Sequence, residues 1–139
     1  MRRLILLTVA ALAAGGPAAA ASNAAIQQQV KAAFRHWRAE MFTHGALTLP
    51  DEVAACFAGV KARPYPTRAA YCIALDHFTV VDAKASGEAP PPFFSDANVG
   101  DRFANAVAET TPESGRIAFQ RQLEIALAPY DKRLETKGQ

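Results

Sequence analysis

The chain has 139 residues, 50% of them hydrophobic and 20% charged, with 15 Lys+Arg against 13 Asp+Glu. Arg2 and Arg3 account for the whole basic excess, so residues 22–139 carry equal numbers of cations and anions, and the electrostatic footprint of a nucleic-acid binder is absent. Two cysteines with no C-x-x-C or C-x-x-C-H spacing exclude c-type haem attachment and argue against a thioredoxin-like redox centre.

Met1-Arg2-Arg3 is a short basic start, and Leu4 to Ala14 is apolar apart from Thr8. Gly15-Gly16-Pro17 breaks that run, and Ala18 to Ala21 supply small residues for cleavage. This pattern predicts a Sec-type signal peptide over residues 1–21, cut near Ala21-Ser22 with Ala19 and Ala21 as the A-x-A pair. The apolar run is far shorter than the ~20 residues a spanning helix needs. The expected location is periplasmic or secreted, with no membrane span in the mature chain. Residues 22–139 then form a single helical domain: 22–86 as a three-helix part, 87–96 as a Pro-rich loop, and 97–136 as C-terminal helices. Abundant alanine and few β-branched residues favour helix over strand.

The first helix is predicted from about Asn23 to Thr43, with Ser22 or Asn23 as N-cap and Gly45 as its stop. Ile26, Val30, Ala33, Phe34, Trp37 and Met41 recur at steps of three and four and form its apolar stripe. A second helix starts at Leu49-Pro50, with Asp51 and Glu52 in the first turn where the helix dipole favours negative charge. Val53, Cys56, Phe57 and Val60 make its buried face, and Arg63-Pro64 ends it. Thr67 is the expected cap of a third helix reaching about Ala85. Its Phe78 to Val81 stretch is β-prone, but no partner strand is evident. Ala89-Pro90-Pro91-Pro92 reads as a short polyproline segment. Ser95 or Asp96 caps a short fourth helix with Val99, Phe103 and Val107 on one side. Thr111 is expected to cap the last helix, with Pro112 at its first position and Phe119, Leu123, Leu127, Tyr130 and Leu134 facing inward. The fold class is therefore all-α, four to five helices around an antiparallel hairpin.

Pro64 lies midway between Cys56 and Cys72, so a chain reversal there opposes the two cysteines across the hairpin. An even cysteine count in an exported chain reads as one structural disulfide. The hairpin tip carries Lys61, Arg63 and Arg68 around Tyr65, a cationic, aromatic knob suited to an anionic cleft. Lys61 and Arg63 also complement the C-terminal dipole of the second helix. Phe93 and Phe94 are the other candidate contact residues; their simpler role is to plug the open end of a bundle. His36, Glu40 and His44 follow at four-residue spacing and form a candidate zinc set. Gly45 ends the helix where His44 is needed, and a solvated His36/Glu40 pair beside Trp37 is the plainer role, so no metal or cofactor is assigned. Asp76-His77 has the residue types of half a catalytic relay, but adjacent helical residues point about 100° apart. No nucleophile or zinc-hydrolase motif accompanies them. The sequence predicts no enzyme.

In CFAGVKARPYPTRAAYCIALD, the spacing of Cys56 and Cys72 and the following Asp76 resemble the small exported lysozyme-inhibitor-like proteins, which have a two-cysteine helical hairpin. Val80-Val81-Asp82 stands where that family has a Leu-Asn pair, and the family's downstream Tyr is absent. The resemblance implies inhibition of a cell-wall hydrolase as one alternative function and transfers no site residue. The leading expectation is a non-catalytic, exported binding or accessory module with a protein partner in the cell envelope. A small-ligand or metal-binding carrier is the other alternative.

Overall fold

Ser22 opens the first helix in extended geometry, its hydroxyl accepting the Ala25 N–H at 3.2 Å. This is a computed structural model, and it describes residues 20–137; of the expected signal segment over 1–21, residues 1–19 lie outside the described residues. Five helices follow: α1 (Asn23–His44), α2 (Leu49–Ala62), α3 (Pro66–Ala85), α4 (Asp96–Thr110) and α5 (Arg116–Lys137). Gly45 ends α1 at φ 64°, a left-handed conformation that glycine adopts without steric cost. The Phe78 to Val81 stretch lies inside α3, where Phe78, Thr79 and Val80 are buried.

Two boundaries differ from the sequence expectation. Thr67 is not the cap of α3: Tyr65 holds that position in extended geometry and Pro66 is the first helical residue. A residue before proline is pushed out of the helical region, and proline itself tolerates a first turn, so Tyr65-Pro66 sets the boundary. Likewise, Thr111 does not begin the last helix but terminates α4 in extended geometry. Pro112 leads into a 3-10 turn over Glu113–Gly115, and α5 starts only at Arg116.

Helix α3 is the central element, buried along Ala69, Ala70, Ile73, Ala74, Leu75 and Phe78, with α1, α2, α4 and α5 packed on it. Ala21, Pro66 and Phe119 lie together beside Thr110 at one end of the molecule, while Phe42, Asp82 and Lys137 meet at the other. Helices α1, α3 and α5 therefore run in one direction and α4 in the opposite one. Midway along, Phe34, Phe78 and Tyr130 join, with ring centroids 5.1 Å apart for Phe34–Phe78 and 4.6 Å for Phe34–Tyr130. Trp37 extends the cluster, stacked on Phe34 at 5.9 Å. Such aromatic pairs add about 0.5–1.5 kcal/mol each beyond their area burial.

Cys56 and Cys72 form a disulfide between α2 and α3, with a Cα separation of 5.7 Å. The expected hairpin is thus covalently closed. A loop of 16 residues stabilises the fold by roughly 3 kcal/mol in the chain-entropy model. This bond is consistent with an oxidising, exported compartment. No described helix is long and apolar enough to cross a membrane.

Candidate functional site

The hairpin tip is formed as expected, and Tyr65 is 57% exposed at its apex. Lys61, Arg63 and Arg68 are exposed around it. Arg68 has a structural task as well: its guanidinium donates at 3.0 Å to the Gly59 carbonyl, which also accepts the Arg63 N–H at the C-terminus of α2.

Phe94 is fully buried, and Phe93 packs partly buried against the core. The pair is drawn inward by Arg102, whose guanidinium lies 4.1 Å from the Phe93 ring centre and donates to the Phe93 carbonyl at 2.9 Å. The same guanidinium makes a two-pronged bond to Asp76, 2.7 Å on each arm. Burial pushes the Asp76 carboxyl above its usual range, and the Arg102 bonds oppose that shift. His77 does not join Asp76; it bonds Asp131 of α5 at 2.7 Å. The two neighbours are thus committed to different helices, α4 and α5, and form no relay. A cleft between α4 and α5, about 350 Å³ in volume, runs past both and is floored by Ile73, Phe103, Leu123 and Leu127.

A second cluster forms where α1 turns into α2. His36 Nε2 lies 2.7 Å from Glu52 Oε2, and His44 Nδ1 lies 3.0 Å from Glu40 Oε2. The Thr48 hydroxyl also donates to Glu40, at 3.2 Å. The bond to His44 holds the Glu40 carboxyl below its usual range, Thr48 acting in the same direction and burial against it. Tyr71 stands nearby, its phenol pushed up by burial and by the charge of Glu52. His36, Glu40 and Glu52 offer ligand atoms that all lie within 4.8 Å of one another. The grouping of His36, Glu40 and His44, considered from sequence and not assigned, is thus rearranged. His44 remains beside Glu40, and Glu52, read from sequence only as a dipole partner of α2, takes the third place.

A groove of about 870 Å³ lies between α1 and α5. Phe34, Trp37 and Tyr130 form its floor, and Lys31, Arg35, Arg38, Arg133 and Lys137 line it. Asp82 is the one acidic residue in the lining; burial raises its carboxyl, while Lys137 acts to lower it. Among the described residues, none of the five cations makes an ion pair within 4.0 Å. Arg38 lies over Phe34 and Arg133 over Tyr130, at 5.9 and 5.6 Å from the ring centres. Trp37 is buried, and among the described residues its Nε1 has no hydrogen-bond partner. Phe42, at the end of the groove, is 94% exposed. Sequence reasoning missed this groove, although Lys31, Arg35 and Arg38 at steps of four and three were a visible signal for a cationic helix face.

Comparison with family models, with curated proteins and with solved structures finds no match to this chain. The likeness to lysozyme-inhibitor-like proteins therefore stands on the cysteine spacing and Asp76, and Asp76 is buried against Arg102.

Proposed function

We propose that this is an exported, non-catalytic accessory protein that binds an acidic segment of a protein partner in the cell envelope, using the α1/α5 groove. The observation that carries the reading is local charge. Residues 22–139 are balanced in cations and anions, yet five cations without ion-pair partners and a single acid line one groove. Opposed charges across such a surface speed encounter and select partners. The aromatic floor supplies apolar area beneath the cations, and Arg and aromatic residues are the types that carry most binding energy at interfaces. Residues 1–21 act as the export signal in this reading, and the disulfide is the matching feature of the folded chain.

Crosslinking capture from envelope extract tests the proposal, with wild-type protein beside an Arg35→Glu/Arg38→Glu variant. The wild type should retain a stoichiometric acidic partner, crosslinked near α1 and α5, and the variant should lose it. Tyr65→Ala, at the far hairpin tip, should capture as well as wild type. Equal capture by the charge-reversed variant, or loss confined to Tyr65→Ala, would overturn the groove assignment.

A further inference from the structure

We infer that His36, Glu40 and Glu52 form a three-ligand site for a divalent cation of the zinc class, with His44 positioning Glu40. This site is separate from the groove. On α1, His36 and Glu40 follow one flank of the Trp37 stripe, whereas Arg35 and Arg38 point into the groove.

The geometry is close to that of a bound metal. Donors around tetrahedral zinc, with bonds of about 2.0–2.1 Å, sit roughly 3.3 Å apart. Here the donor atoms are all within 4.8 Å of one another, and His36 Nε2 and Glu52 Oε2 are already at 2.7 Å. Side-chain shifts of about 1.5 Å or less bring the three donors to that spacing. Helix geometry supplies the rest. His36 and Glu40 are one turn apart on α1, and Glu52 projects from the first turn of α2 after a tight link through Gly45–Leu47.

Charge supplies an independent reason. Two carboxylates converge on one point, and among the described residues no Lys or Arg pairs with either. In the metal-free protein, the imidazoles of His36 and His44 hydrogen-bond the two carboxylates. A divalent cation would replace the proton between His36 and Glu52 and bond both at once. The donor set also selects the metal class. One imidazole and two carboxylates suit zinc, cobalt and nickel, whereas both cysteines are closed in the disulfide and offer no thiolate. Three protein ligands leave a fourth position for water or a partner's side chain. His44 bonds Glu40 at its Nδ1 and fixes the carboxylate orientation, the role of an outer partner.

Titration calorimetry of the oxidised protein with zinc chloride tests the site, with visible absorption of added Co²⁺ as the second readout. One equivalent of zinc should bind, and bound Co²⁺ should show the intense bands of a tetrahedral centre. His36→Gln keeps a hydrogen-bonding group at position 36, and Glu52→Gln keeps the shape of residue 52. Each should weaken zinc at least about tenfold and remove the cobalt bands, while circular dichroism confirms that the helices persist. His44→Ala should keep the 1:1 stoichiometry with an affinity about ten- to a hundredfold lower. No 1:1 binding in the wild type, or zinc and cobalt signals unchanged in both His36→Gln and Glu52→Gln, would overturn the assignment. The test is blind to the groove: Arg35→Glu/Arg38→Glu should bind zinc as the wild type does.

Discussion

At the scale of single residues, the most consequential contact is the Asp76–Arg102 pair. Asp76 is 1% exposed, and its only ionic partner among the described residues is Arg102. Removing one member of such a pair strands a buried charge, and that is what makes it costly. Arg102→Met should therefore lower the unfolding free energy by about 3–5 kcal/mol in urea titrations. The Asp76→Leu/Arg102→Met double variant should recover most of the loss, because it strands nothing. The pH dependence has a definite sign. Burial already raises the Asp76 carboxyl, and without Arg102 it rises further. A group with a raised folded-state value loses stability as pH rises through that value, and regains it as pH falls toward 3.8. The deficit of Arg102→Met should accordingly be smaller near the acid end than at neutrality. A deficit that grows on acidification would show that Asp76 stays ionised in the variant. None of this was legible at position 102, since a lone Arg on an amphipathic helix carries no mark of a partner 26 positions earlier.

At the scale of helices, α5 shows how patterning outranks a local breaker. Pro129 lies inside it, yet the helix runs unbroken from Arg116 to Lys137. Phe119, Leu123, Leu127 and Leu134 are buried on both sides of the proline, and their burial holds the two halves in line. Pro129 itself is exposed and can donate no bond to the Ile125 carbonyl. Pro129→Ala should restore that bond and raise stability by about 1–3 kcal/mol in thermal or urea unfolding, with unchanged helix topology. A destabilised variant would mean that the proline sets a bend the core requires. The same logic explains what the sequence disclosed about the fold. The three-and-four spacing from Ile26 to Trp37, the Pro64 reversal and the cysteine spacing were sufficient for α1, the hairpin and the disulfide. The Thr67 boundary was misplaced because a good capping side chain was weighed above the proline beside it, and the Thr111 boundary because a 3-10 turn over Glu113–Gly115 delays α5 to Arg116. At Tyr65-Pro66 proline's restriction of the preceding residue prevailed. The His36 cluster was half legible: i,i+4 spacing on α1 was visible, but Glu52 comes from a different helix and enters only through the turn at Gly45.

At the scale of the molecule, the two proposed sites obey different electrostatics, and one variable separates them. The groove holds its five cations on long, mostly exposed side chains, so its attraction for an acidic partner acts through solvent. The His36–Glu40–Glu52 cluster would bond a cation directly, with half-buried donors. Salt screens the first kind of interaction strongly: the Debye length falls from about 10 Å at 0.1 M to about 3 Å at 1 M. Directly bonded or partly buried charges are screened much less. Over that range, capture of the acidic partner should weaken by at least about tenfold, while the zinc affinity of the same protein changes by less than about threefold. Partner binding measured by fluorescence anisotropy and zinc binding measured by calorimetry, in matched buffers, give both slopes. Salt-resistant partner binding would shift the contact to apolar surface, where Phe42 in the last turn of α1 and Leu47 just after it stand 94% and 87% exposed. Zinc binding that collapses with salt would instead mark the metal as held diffusely by surface carboxylates. Unequal salt responses of this kind from one chain would mark two sites on the two flanks of α1, with the aromatic cluster of Phe34, Trp37, Phe78 and Tyr130 as the rigid body between them.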